Sequence, residues 1–130
     1  MTLPDPRDFP RIFATAFGKA DAAAIAALCL DDATCLSLSA GWAEGRAAIE
    51  ALLAAEFAGL MARARLVTGK GTLRRIGPNA ALIQQRFVVS GLLDADGQDL
   101  ARTAALLTAL MVRADEGWQA VALQFSPVEG

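Results

Sequence analysis

A chain that contains neither histidine nor tyrosine has few ways to move a proton. Its possible acids and bases are carboxylates, whose pKa an apolar cavity can bring toward the working pH. Asp94, Asp96, Asp99, Asp115 and Glu116 fall in turn-like segments, where solvated loop roles account for them. Asp31 and Asp32 remain, at the junction of a helical stripe and a strand, and Asp32 is the candidate catalytic base; a turn or capping role competes with it. Arg86, facing a pocket unpaired, would attract a carboxylate or other anion. An ion pair with Glu50 or Glu56 is the structural alternative. Gln84 and Gln124 can orient a ligand without exchanging a proton. Trp42, beside Gly41, can stack on a flat ligand or simply pack. Cys29 and Cys35 lie among Ala and Leu, a setting for buried thiols rather than reactive ones.

Whole classes of chemistry drop out. No P-loop, GxGxxG or GxSxG pattern is present, which argues against nucleotide and serine-hydrolase chemistry. Two cysteines without ligand spacing and no histidine leave no zinc site, and neither a metal nor a cofactor is expected. A net charge of -2 without runs of like charge argues against a nucleic-acid partner. The first residues, MTLPDPRDF, lack the basic and apolar regions of a signal peptide, and no apolar window approaches a membrane span. These features lead us to expect one reduced, cytoplasmic domain over residues 1–130, with no membrane partner. Two lysines against ten arginines, with abundant Ala, resemble the coding bias of a GC-rich bacterial genome.

The elements that must position these residues follow from periodicity. Asp5-Pro6 reads as an N-cap and first helical position, with Asp8 placed to complete a capping box. Phe9, Ile12, Phe13, Ala16 and Phe17 then form one helical stripe that stops at Gly18; Phe13 and Phe17 are either core or the wall of an apolar pocket. Asp21 caps a second helix with Ala24, Ile25, Leu28 and Cys29 on its buried side, ended by Asp31-Asp32. Ala33 to Ser39 alternates as a strand that Gly41-Trp42 breaks. Gly45-Arg46 opens a third helix with the stripe Ile49, Leu52, Leu53, Phe57 and Leu60. Ala62 to Ile76 is a long strand bent at Gly69 and Gly71. Ala81 to Gly91, Ala104 to Val112 and Gly117 to Phe125 complete a four-strand antiparallel meander, although Ala104 to Val112 is equally helix-like on propensity.

The order of elements, ending in a strand that opens with Gly117-Trp118, resembles the NTF2-like superfamily, also described as SnoaL-like or ketosteroid-isomerase-like. Within it, DAAAIAALCLDDAT (21–34), EGRAAIEALLAAEF (44–57) and VRADEGWQAVALQFS (112–126) look like the SgcJ/EcaC-type subgroup. The resemblance implies an α+β cone: three N-terminal helices packed on a curved mixed or antiparallel sheet, often around a pocket, and a homodimer through the sheet. Enzymes of the superfamily place an acid or a histidine with a tyrosine inside the cone. In the subgroup a histidine often stands where this chain has Gln124, so inherited acid–base chemistry is in doubt.

Pairing Leu93 with Gln98 and Ala114 with Gly117 divides the meander into two faces. One carries Gln84, Arg86, Val88, Ala105, Leu107, Ala109, Met111, Trp118, Ala120, Ala122 and Gln124. The other carries Gln85, Phe87, Val89, Arg102, Leu106, Thr108, Leu110, Val121, Leu123 and Phe125. Both are too apolar for water, so each needs a cover: helices on one, a partner subunit on the other. The first face, with small alanines and a few polar groups, is taken as the pocket side, and the second as the dimer interface. A one-residue slip would exchange the lists. The expected function is binding of a small apolar or weakly anionic metabolite through Trp42, Gln84, Arg86, Trp118, Gln124, Phe13 and Phe17. Two alternatives stand beside it: an isomerase, cyclase or hydratase-type enzyme with a pocket carboxylate, and a non-catalytic association module. A closed interior packed with Phe9, Phe13, Phe57 and Trp118 would favour the last.

Overall fold

A computed structural model describes residues 1–129. Asp5 begins the first element as its sequence suggests: its carboxylate accepts from the Arg7 backbone amide at 2.9 Å, ahead of a short 3-10 turn, Pro6–Asp8. Hydrogen bonds from the Arg7 side chain hold the Asp5 carboxyl down to about 2. Helix α1 (Phe9–Gly18) follows, burying Phe9, Phe13, Ala16 and Phe17. Asp21 caps α2 (Ala22–Ala26) by accepting from the Ala24 amide at 3.0 Å.

Helix α2 is shorter than its apolar stripe predicts. The chain is already extended at Cys29, where strand β1 (Cys29–Leu36) starts. Tertiary contacts override local propensity here: the Ala120 amide donates to the Leu28 carbonyl at 2.9 Å, and the Arg46 guanidinium grips the Cys29 carbonyl at 2.9 and 2.6 Å. After a turn at Ser37–Gly41, the predicted break proves to be a short strand, β2 (Trp42–Glu44), antiparallel to β1. Helix α3 (Arg46–Phe57) begins at Gly45, whose φ of 93° and ψ of 151° lie in a region essentially reserved for glycine.

Strands β3 (Arg65–Arg75), β4 (Ala80–Ser90), β5 (Thr103–Ala114) and β6 (Gly117–Val128) form the expected antiparallel meander. Its ambiguous member, β5, is a strand. The six-stranded sheet has the order β2-β1-β6-β5-β4-β3, with β1 parallel to β6. The bend in β3 is a bulge between Thr68 and Gly71. Gln85 staples it, its Nε2 donating to the Gly69 carbonyl at 2.8 Å and the Arg86 carbonyl at 3.0 Å. A side chain at position 71 would meet that amide and displace it from the bulge.

The helices cover one face of the sheet and the core lies between. Gly45→Val should lower the melting temperature by destabilising the start of α3, at a cost of about 1 to 3 kcal/mol for the strained backbone. An unchanged melting temperature on thermal denaturation would contradict this role for Gly45.

Candidate functional site

The face of the sheet that meets the helices differs from the expected one, for two local reasons. The β4–β5 hairpin pairs Leu93 with Asp99 rather than with Gln98, so β4 turns its odd-numbered residues inward. In β6 an extra residue falls between the pairs Leu110–Ala122 and Met111–Ala120, which reverses side-chain parity beyond Ala120. The inward face is therefore Ile83, Gln85, Phe87, Val89, Ala105, Leu107, Ala109, Met111, Trp118, Ala120, Leu123 and Phe125, all buried. The β5 residues, Trp118 and Ala120 are where the sequence put them. Gln84, Arg86, Val88, Ala122 and Gln124 look outward instead.

The expected site residues consequently divide. Phe13 and Phe17 meet inside the cone, their ring centroids 6.0 Å apart. Trp118 is buried near the mouth with the Arg75 guanidinium 5.9 Å from its ring. Trp42 is 59% exposed on the outer side of β2, and its indole N–H donates to Glu44 Oε1 at 3.0 Å. Trp42 and Gln124 do share a hollow, of about 230 Å³, but it lies on the outer face with Thr34, Leu36, Thr108 and Leu110. Arg86 is exposed and forms no ion pair with Glu50 or Glu56 among the described residues. Asp32 is exposed in β1, and its neighbour Asp31 pairs with Arg46 at 2.7 Å, so neither acid enters the cone.

Aromatic rings occupy the interior. Phe13 stands 6.3 Å from Phe87 and 5.6 Å, edge-on, from Phe125; Phe17 stands 5.2 Å from Phe57 and 5.9 Å from Phe125. These separations and tilted planes are those of favourable ring contacts. Phe9 stacks on Phe13 with centroids 6.1 Å apart.

One group in this interior lacks its complement. Glu56 is 7% exposed, and both of its carboxylate oxygens are sealed from solvent and accept no hydrogen bond among the described residues. Burying a carboxylate without a donor is costly. Its position explains its burial: Ile49, Leu53, Glu56 and Phe57 form the inward stripe of α3, and the acid occupies a slot that the helical period reserves for an apolar residue. That period is the sequence signal for its burial, and it outweighs the pairing with Arg86 that charge alone suggests. Its neighbour Cys35 is buried, and its thiol is pushed up to about 12, first by burial, then by Cys29 and Glu56. Burial likewise pushes Cys29 up to about 11, partly offset by Arg46.

With this geometry in view, comparison with known proteins is informative. A family model described as a SnoaL-like domain matches residues 8–129. The chain belongs to the SnoaL-like family. Among solved structures, an uncharacterised protein with a cystatin-like fold from Caulobacter vibrioides superposes with a TM-score of 0.85 at 18% identity, covering 95% of this chain and 87% of that one. An NTF2-like protein with a cystatin-like fold from Novosphingobium aromaticivorans gives 0.75 at 24% identity, covering 95% and 80%. A candidate calcium/calmodulin-dependent protein kinase II association domain from Xanthomonas campestris gives 0.76 at 17% identity, covering 94% and 84%. At these identities the likeness is one of fold, and the α+β cone with its curved mixed sheet is that of this SnoaL-like chain. No curated protein matches the sequence. Among the described residues no helix is long and apolar enough to cross a membrane.

Two outcomes follow. Glu56→Met should raise stability in denaturant unfolding by about 1 to 3 kcal/mol, because a buried carboxyl without a hydrogen-bond partner gives way to an apolar group of similar length; a loss would mean that Glu56 has a partner in the folded protein. Cys29 and Cys35 should resist a thiol reagent in the native protein at pH 8 and react only on unfolding, since thiols held at about 11 and about 12 carry almost no thiolate there. Rapid native labelling would contradict their burial.

Proposed function

We propose that this SnoaL-like chain is an association module that pairs with a second copy through the outer face of its sheet. The observation that carries the reading is that this face is apolar and no element of the chain covers it. Leu36, Leu82, Leu106, Leu110 and Val112 are only half-buried there, while Val88 and Trp42 are exposed. Uncovered apolar surface on this scale marks an interaction site in a soluble domain. The burial of Phe9, Phe13, Phe57 and Trp118 supports the same reading. The similarity to the Xanthomonas campestris association-domain candidate agrees with it.

A second reading has its own observation. Glu56 is a desolvated acceptor inside the cone, and a ligand or substrate that reached it would meet a hydrogen-bond acceptor or base. A candidate dehydratase of the NTF2-like family from Streptomyces avermitilis superposes with a TM-score of 0.75 at 16% identity. On this reading the preferred ligand carries an N–H or O–H donor. The preference for a weakly anionic metabolite loses its support, because it rested on Arg86 facing inward. Membership of the SgcJ/EcaC-type subgroup remains our finer placement, supported by the segments at 21–34, 44–57 and 112–126.

Sedimentation velocity separates the readings. The wild-type protein should run as a dimer, and Leu110→Glu, which places a charge near the centre of the outer face, should run as a folded monomer. A wild-type monomer would count against the association reading. Thermal-shift screening against donor-bearing and anionic small molecules tests the other reading, because binding to the folded state raises its apparent stability. A shift lost in Glu56→Gln would support it, and no shift with any compound would leave the association module.

A further inference from the structure

We infer that the two copies meet about a twofold axis running along the strands between β5 and β6, which sets Glu44 of each copy over Arg74 of the other. This inference rests on the association reading above and adds the facing of the two sheets. The strand registers define one row straight across the outer face. Glu44 lies opposite Thr34, Thr34 opposite Ala122, Ala122 opposite Leu110, Leu110 opposite Leu82, and Leu82 opposite Arg74. An acid ends the row at the β2 edge and a base ends it at the β3 edge. Between them stand a threonine and three apolar side chains, all half-buried.

Two faces related by a twofold can be laid together in two limiting ways. With the axis along the strands, β2 of one copy covers β3 of the other, β1 covers β4, and β6 covers β5. The two ends of the row then exchange, so each copy contributes its acid to the other's base. With the axis across the strands, each edge covers its own counterpart, acid end upon acid end and base end upon base end. Like charges brought together at an interface disfavour that arrangement, and opposite charges fix the register of the first. The facing also reproduces the usual anatomy of a protein interface, an apolar centre within a charged rim.

Both end groups are ready for such a contact. Arg74 is exposed and takes part in no salt bridge among the described residues. Glu44 is exposed, and among the described residues its carboxylate accepts only from the Trp42 indole and pairs with no cation. Because the twofold closes, the interface yields a pair and not a filament.

The test is a charge-reversal cycle on the full chain, read as the dimer dissociation constant by sedimentation equilibrium at low and high salt. Glu44→Arg and Arg74→Glu should each weaken the dimer about tenfold or more at low salt and less at high salt. Combining them should restore the dimer to within about threefold of wild type, as expected of groups that face each other. The milder Glu44→Gln and Arg74→Gln should move the constant in the same direction by less, and circular dichroism melting checks that every variant folds. A double variant weakened by the product of the two single effects, or single variants with no effect, would overturn the facing while leaving the association reading intact. A wild-type chain that is monomeric would overturn both.

Discussion

The fold depends on the contact between α1 and the concave face of the sheet, made through phenylalanine. Phe13 lies within about 6 Å of Phe9, Phe17, Phe87 and Phe125, and Phe17 carries the contact on to Phe57 in α3. This one cluster joins two helices to β4 and β6, strands separated in the sheet by β5. Ring burial is worth about 1.5 to 3 kcal/mol per side chain, so the cluster accounts for much of the force closing the cone. It also fills space that a more open cone would leave to a ligand. The same packing thus stabilises the chain and narrows its function.

A sheet has two faces, and this chain has helices enough for one. The outer face of β4, β5 and β6 leaves Leu82, Val88, Leu106, Leu110 and Val112 uncovered beside the polar Gln84, Arg86 and Gln124. Glu56 presents the opposite case, a polar group inside apolar packing. Both are features that the packing of the single chain leaves unmatched. The first extends over a surface and the second is confined to two oxygen atoms. That difference in extent makes association the leading reading and small-molecule chemistry the second.

Much of the architecture was legible because it is written in turns and periods. Asp5-Pro6, Asp21 and Gly45 mark helix starts, and the alternating runs at 81–91, 104–112 and 117–125 fall within β4, β5 and β6 to within a residue. The side facing the helices was not legible, because side-chain parity depends on details smaller than a turn. One residue in the β4–β5 hairpin and one bulged residue in β6 moved Gln84, Arg86 and Gln124 from the cone to the outer face. The change makes the outer face more mixed than expected, with Gln84, Arg86 and Gln124 set among Leu36, Leu82, Leu106, Leu110 and Val112. The end of α2 was misplaced because Cys29 is held extended by Arg46 and Ala120, residues distant in sequence. Glu56 was legible and overlooked: it falls on the α3 stripe, but its charge argued against burial.

The central claim is that the outer face is buried in a pair, and Trp42 reports on it directly. It is 59% exposed in the single chain, whereas Trp118 is 4% exposed and contributes little to quenching by a soluble agent. The decisive measurement is acrylamide quenching of tryptophan fluorescence across a dilution series, with molecular mass followed in parallel. Trp42 should be shielded at high concentration and become quenchable over the range in which mass falls from dimer to monomer. Quenching that stays the same through that change in mass would show that the chain associates by some other surface.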